Sequence, residues 1–261
     1  MVDSSSTDGS VSLVRKKFPG VKIIRLKENV GVAGYNQGFR QARGVYFIVC
    51  DCDVTIGNEV ANLVTTVFTE CDADILAFKI TDFTTGEIID NPSHSIETDT
   101  KGGYQAANFN GSAWAMRRRV FRKIGGYNPE YFIYLAEMEL SARALMKNYK
   151  LRYFPDLVCR HNINKAVVRN KGKYFVARNW VYFIVKYLPL WSIPLIGVWS
   201  LSKVFYDTSR GYGMAGSYLA GFVDGLKKAL YYFRNRTTFT FKETVKFVKG
   251  NFNVGGFTNQ W

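Results

Sequence analysis

The chain has 261 residues, 47% hydrophobic and 21% charged, which supplies a sizeable core and excludes a disordered chain. Its 35 Lys and Arg against 21 Asp and Glu leave a net charge of +14; this favours anionic partners such as nucleoside diphosphates or acidic lipid headgroups without choosing among them. Cys50, Cys52, Cys71 and Cys159 form no C-x-x-C pair, so reduced thiols in a cytosolic domain are expected, with neither a disulfide framework nor a zinc site.

Met1 to Ser10 is polar and lacks the apolar core of a signal peptide. Ser4 to Ser10 reads as a turn-rich loop, in which Asp3 can close an Asx turn ahead of a short amphipathic helix from Ser10 to Lys17. Val21 to Leu26 reads as a strand from its β-branched content. Asn29 to Gly38 is a glycine-studded loop entering a helix that stops at Gly44. Its glycines permit close approach of a ligand, and the helix start suits a phosphate. It matches neither the dinucleotide-binding nor the P-loop fingerprint.

The apolar run Val45-Tyr46-Phe47-Ile48-Val49-Cys50 stops at Asp51-Cys52-Asp53. This predicts a strand covered on both faces, as in a parallel sheet flanked by helices, with a site beyond its carboxyl end. Residues i and i+2 of an extended segment project to one side, so Asp51 and Asp53 can converge on a hard divalent cation, Mn or Mg, that bridges carboxylates to phosphates. The alternative is two solvated acids in a turn.

Asn58 to Cys71 has helical periodicity and Ala73 to Ile80 returns as a strand. Thr81 to Thr100, with Gly86, Pro92 and His94, reads as a hairpin or loop. Asn110-Gly111-Ser112-Ala113-Trp114-Ala115-Met116 alternates small and large residues, with Trp114 a core candidate. In the helix that follows Tyr131, Glu139 and Arg143 stand four apart and can pair. Glu137 faces elsewhere, as a site acid or a solvated surface residue. Tyr149 to Asp156 predicts a strand ending near Pro155, followed by Val158-Cys159-Arg160-His161. Lys165, Arg169, Lys171 and Lys173 form a basic run, suited to a diphosphate or simply a solvated face. Tyr187 to Ser202 is a run of 16 uncharged residues broken by Pro189 and Pro194, short of the about 20 that span a bilayer. With Trp191 and Trp199 it reads as interfacial or as packed on the preceding domain. Gly211 to Lys228 includes another helix, and Arg234 to Trp261 carries no readable motif.

Taken together, the start Val2-Asp3-Ser4-Ser5-Ser6-Thr7-Asp8-Gly9-Ser10, Asn29-Val30-Gly31, Gly34-Tyr35-Asn36-Gln37-Gly38, Ala42-Arg43-Gly44, the two acids, Arg118-Arg119-Val120-Phe121 and Ile124-Gly125-Gly126-Tyr127 resemble a family-2 glycosyltransferase of the GT-A fold, rhamnosyltransferase-like branch. The resemblance covers roughly residues 1 to 190 with its motifs in the family's order. It implies an α/β, Rossmann-like, mixed and mostly parallel sheet flanked by helices. A catalytic domain over 1–178 and a helical, membrane-interfacial tail over 179–261 are expected. The chain is expected to start after the family's first strand and helix, leaving an exposed sheet edge and reduced stability.

The resemblance also implies roles. Asp3 would contact the donor base, with Asn29, Gly31, Asn36 and Asp51 along the nucleotide sugar. Asp51, Asp53 and His161 would hold the divalent cation. Trp114 and Glu139 would lie on the acceptor side, and Glu137 would be the catalytic base. The family's Glu-Asp-x-Asp-Leu reads Ala136-Glu137-Met138-Glu139-Leu140 here, so the first acid is lost and the base is a glutamate. The expected activity is metal-dependent, inverting, hexosyl-type transfer from a nucleotide-diphosphate sugar to a hydroxyl-bearing acceptor, in glycan, lipid-linked or polysaccharide synthesis, at the inner face of a membrane. A catalytically impaired sugar-nucleotide- or partner-binding remnant is the alternative. A nucleic-acid partner is not expected, since charge alone would support it.

Overall fold

The computed structural model describes residues 1–90, 94–98, 103–162, 169–194 and 215–252. Strand β1 (Val2–Asp3) pairs in parallel with β2 (Ile24–Arg25), and helix α1 (Ser10–Lys17) connects them. The main sheet runs β3 (Tyr46–Cys50), β9 (Ala113–Arg117), β5 (Ile75–Asp82), β10 (Leu151–His161), β8 (Tyr104–Ala106), β7 (His94–Thr98). Two short strands flank this path, β4 (Val54–Ile56) on β10 and β6 (Ile88–Asp90) on β5. Thr81 to Thr100 thus contributes two strands, with His94 opening β7.

The α/β, GT-A-like class holds, but the expected mostly parallel pairing does not. Only β5–β10 pairs in parallel within the main sheet among the described residues; β3–β9, β9–β5, β10–β8, β8–β7, β4–β10 and β5–β6 are antiparallel. Strands β3, β5 and β10 do share one direction. The reversed β9 is inserted between β3 and β5, so the parallel frame survives in orientation while its hydrogen bonds run antiparallel. One consequence is functional: the carboxyl ends of β3 and β10 and the amino end of β9 lie on the same side of the sheet.

Both faces of the sheet are covered. Helix α2 (Tyr35–Gln41), α4 (Arg118–Ile124) and α5 (Ala136–Met146) lie in a core with Phe47, Val49, Ile75, Ala77, Trp114 and Met116. Helix α3 (Val60–Glu70) packs Val60, Val64, Val67 and Phe68 against Leu76, Phe78, Ile80, Ala113 and Ala115. Alternate residues of β5 therefore enter opposite cores, which is why its sequence is apolar throughout. Truncating a side chain as buried as Phe68, 2% exposed, would cost about 3–5 kcal/mol. Helix α2 also spans the two sheets: its Gly38 lies over Val2 of β1, and its Phe39 stacks on Phe47 of β3 with centroids 5.2 Å apart.

Strand β10 outruns the expected end at Pro155. Its register with β5 shifts between Phe154 and Val158 and then continues to His161↔Asp82. A proline has no N–H for the ladder, and a bulge accommodates it without ending the strand. That continuation carries His161 to the sheet end where β3 stops.

Helix α6 (Arg169–Tyr187) places Trp180, Tyr182, Phe183 and Tyr187 in the α5 core, so position 178/179 lies inside a helix that is built into that core. Helix α7 (Ala215–Arg234) crosses α6 closely through Gly221 and Gly225. A Cβ on Gly221 would lie 2.1 Å from the Tyr174 carbonyl oxygen. Helix α8 (Phe241–Phe252) adds Phe247 to the same core. Leu190 and Trp191 are exposed, while Trp199 lies outside the described residues. Among the described residues, no helix is long and apolar enough to cross a membrane.

Candidate active site

The backbone at the end of β3 continues its pairing, Asp51 N–H donating to the Ser112 carbonyl at 2.9 Å. The Asp51 carboxylate turns toward α2, where it accepts the hydroxyl hydrogen of Tyr35. Burial raises its pKa, and the Asp53 charge adds to that; the Tyr35 hydrogen bond and His161 oppose it. Asp53 points the other way and is half exposed. Its Oδ2 lies 3.2 Å from His161 Nε2, and its carbonyl accepts from Asn162 N–H at 2.9 Å. His161 Nδ1 stands 3.2 Å from Ser112 Oγ. Ends of β3, β9 and β10 thus meet at Asp51, Ser112 and His161, with Asp53 on the turn between β3 and β4.

Among the described residues, no group of three or more His, Cys, Asp or Glu side chains is arranged to hold a metal. Of the expected ligands Asp51, Asp53 and His161, the structure brings the last two face to face. Tyr35 diverts Asp51, leaving Asp53 and His161 to face each other with a carboxylate oxygen and an imidazole nitrogen. That donor set suits a divalent cation such as Mn or Mg.

Glu137 enters from α5, one residue past the first. A Cβ on Gly111 would lie 2.5 Å from its Oε1, so only glycine allows the carboxylate to rest against the Asn110–Ser112 loop. Asn110 shapes that loop, its Oδ1 accepting from Ser112 N–H at 2.9 Å. Glu137 is partly exposed. Burial pushes its pKa up to about 7, helped by the Asp51 charge and opposed by a backbone hydrogen bond. Two buried groups nearby, Trp114 Nε1 and the Tyr127 hydroxyl, have no hydrogen-bond partner among the described residues. Burial is also the main cause raising the Tyr127 pKa, with Glu137, Tyr35 and Asp51 adding to it.

Several residues expected at the site serve elsewhere. Glu139 is 1% exposed; it accepts from Arg143 Nε and Nη2 and from the Tyr187 hydroxyl at 2.7 Å, with Lys186 Nζ 3.8 Å away. That network encloses the Glu139 carboxylate within the core between α5 and α6. Trp114 is 0% exposed, stacked on Phe109 at 4.4 Å and edge-on to Tyr127 at 5.9 Å, so it is a core residue without a free ring face. Asn36 is pinned at both ends of its amide by Tyr127, accepting its N–H and donating to its carbonyl, each at 2.8 Å. It cross-links α2 to the Gly125–Tyr127 turn.

Asn29 Oδ1 accepts from Gly31 N–H at 2.9 Å. Gly31 has φ 60°, and a Cβ there would lie 2.0 Å from the Phe132 carbonyl oxygen. Its glycine is thus explained by a loop-to-loop contact. Asp3, 2% exposed, accepts from Ser6 N–H at 3.3 Å and faces Arg25 Nε at 3.6 Å, which is the Asx turn open to it in the sequence. Of the basic run, Lys165 lies outside the described residues, and Lys173 Nζ sits 5.6 Å from the centre of the Tyr218 ring. Tyr35, Gly111, Ser112 and Tyr127 join the site although their residue types and spacing assign them no role there. Their only local signals are a tyrosine inside a glycine-rich loop and a Gly-Ser pair ahead of an alternating strand.

Residues 1–125 match the sequence family described as glycosyl transferase family 2. No curated protein matches. Among solved structures, the fold is similar to that of the mannosyltransferase PcManGT from Pyrobaculum calidifontis in complex with GDP-Man and Mn2+. The TM-score is 0.52 at 14% identity, covering 88% of this chain and 76% of that one. It is also similar to GalNAc-T7 with UDP, GalNAc and Mn2+, with a TM-score of 0.58 at 16% identity, 94% of this chain and 49% of that one. S. aureus TarS follows, with a TM-score of 0.51 at 18% identity, 70% of this chain and 33% of that one. This chain therefore spans about half of GalNAc-T7 and a third of TarS, and at such identities the likeness is one of fold.

Proposed function

From the family 2 glycosyltransferase sequence of residues 1–125 and the GT-A architecture built on it, we propose that the chain transfers a sugar from a nucleotide-diphosphate donor to an acceptor hydroxyl with inversion. The observation that carries this reading is the Gly111-Ser112 dipeptide. Gly111 receives the Glu137 carboxylate, and Ser112 receives His161, which faces Asp53. A base and a cation-binding pair would thereby be held on adjacent residues of one loop.

Asp53 and His161 Nε2 would hold a manganese or magnesium ion, with His161 Nδ1–H donating to Ser112 Oγ to fix the tautomer. Such an ion, when bound, offsets the charge of the departing diphosphate. Asp51, oriented by Tyr35, offers its second oxygen to a ribose hydroxyl. The turns at Asp3–Ser6 and Asn29–Gly31 form the donor floor with their backbone. Glu137 takes the proton of the acceptor hydroxyl as it attacks the anomeric carbon from the face opposite the diphosphate. A pKa near 7 suits a base at neutral pH. The acceptor approaches from the Glu137 side. The exposed apolar residues of α7, Leu219, Phe222, Leu226 and Leu230, together with the net positive charge, support peripheral contact with an anionic membrane.

Calorimetric titration with a panel of nucleoside diphosphates, with and without manganese, tests the donor half. One base should bind in a manganese-dependent way, and Asp53→Ala should abolish the dependence. If Asp53→Ala leaves it intact, the cation lies elsewhere. A folded chain that binds no nucleotide would favour the impaired-remnant reading.

A further inference from the structure

Helix α5 starts from a backbone segment that is costly by itself. Phe132, Tyr134 and Leu135 have φ of 57°, 62° and 55°, left-handed values that residues with a Cβ avoid and that persist only where surrounding contacts impose them. Those contacts come from the middle of α6. Asn179, 0% exposed, donates its carboxamide N–H groups to the carbonyls of Tyr131, Ile133 and Tyr134 at 2.8, 2.9 and 2.8 Å. Its Oδ1 accepts from Arg178 Nε and Nη2 at 3.1 and 2.9 Å, and Arg178 Nη2 also reaches the carbonyls of Glu130 and Tyr131.

On the opposite side of the segment, the Phe132 carbonyl accepts from Val32 N–H at 2.8 Å, against Gly31. Leu135, the last left-handed residue, caps α5, and its carbonyl accepts from Glu139 N–H at 2.9 Å. Glu137 lies two residues beyond that cap. Converging carbonyls need closely spaced donors, and a primary amide supplies two on one atom. Without them, three carbonyl dipoles, one buried and two partly buried, lose a partner together.

We propose that Asn179 is a positioning residue for Glu137. By holding residues 131–135 in their left-handed path, it sets where α5 begins, and hence where the carboxylate meets Gly111; through Phe132 it also holds the Gly31–Gly34 turn. The proposal rests on the reading of Glu137 as the base. It places a determinant of the site on α6, beyond residues 1–125 of the family match.

The test compares full-length Asn179→Ala with Tyr174→Phe. The latter removes the Tyr174–Asp224 hydrogen bond between α6 and α7 and, although the Tyr174 hydroxyl also interacts with Arg178, keeps every Asn179 hydrogen bond to residues 131–134. In Asn179→Ala, the Val32 and Glu139 amides should exchange hydrogen faster. Its kcat should fall about 10²-fold, the effect of a displacement near 1 Å, while donor KM stays within about threefold. The acid limb of the pH profile should move below 7 as water reaches Glu137. Tyr174→Phe should show none of this.

Native exchange and an unmoved pH profile in Asn179→Ala would overturn the proposal, as would equal losses in Tyr174→Phe. If Asn179→Ala does not fold, Arg178→Ala should give smaller changes in the same direction, and a native-like Arg178→Ala would also overturn it. Should Glu137→Gln keep full activity, the base reading fails, and the exchange data alone judge the clamp.

Discussion

The Glu137 carboxylate occupies the space that the Cβ of any residue other than glycine at position 111 would need, 2.5 Å from Oε1. Loop and helix are therefore fitted to each other, although 26 positions separate them in the chain.

Gly111→Ala should displace that carboxylate while sparing the acid pair on the far side of Ser112. The expected result is a loss in kcat of about 10²-fold with nucleotide binding retained. Rates measured at saturating donor, beside a nucleotide titration of the same variant, decide it; an unchanged kcat would separate Glu137 from the chemistry.

The raised pKa of Glu137 predicts opposite pH trends for activity and stability. Activity needs the deprotonated form, so it should fall as the pH drops below about 7. For stability, the folded value near 7 lies above the ordinary 4.5, so the folded chain holds a proton that the unfolded chain has already lost. That stabilisation is fully present below pH 4.5 and is lost as the pH rises through 7. Glu137→Gln, uncharged throughout, should be inactive yet melt above the native chain, with the gap widening from about pH 6 to about pH 8. A gap that narrows would contradict the assigned burial of the charge.

Glu139 should behave as a structural residue. Glu139→Ala leaves Arg143 and Tyr187 facing a vacant site, and breaking a buried pair in this way costs about 3–5 kcal/mol. Denaturant unfolding should show that loss, whereas acceptor KM, measured on the folded fraction, should stay close to native. A selective rise in acceptor KM without lost stability would return Glu139 to the acceptor site.

Membrane contact through α7 makes a separate prediction. The native chain should co-sediment with vesicles containing phosphatidylserine and should do so less as salt rises. Phe222→Asp and Leu226→Asp, both at exposed positions, should weaken that binding while leaving the melting temperature near native. Equal recovery of native and variant chains with such vesicles would remove α7 from the contact.

Features carried by neighbours along the chain are legible in the sequence itself. The apolar run into Asp51 and Asp53 specifies a strand with acids at its carboxyl end, because a strand buried on both faces tolerates no charge until it leaves the sheet. The i, i+4 spacing of Glu139 and Arg143 specifies their pair, because one helical turn brings them together. The glycines at 31 and 34 mark a tight loop, although the reason for Gly31 is the Phe132 carbonyl.

Relations between distant segments are decided by tertiary structure. His161 meets Asp53 because β10 passes Pro155 through a bulge, and the Asp51 carboxylate is turned aside because Tyr35 of α2 reaches it. Trp114 and Glu139 are enclosed by partners elsewhere in the chain, Phe109 and Tyr127 packing one and Tyr187 of α6 covering the other. The antiparallel β9 between β3 and β5 has no local signature either. Periodicity and propensity act over one turn or one strand, so they specify elements and the residues at their ends. Which of those residues face each other depends on strand order, register and packing, and these are set by contacts between segments that no local pattern encodes.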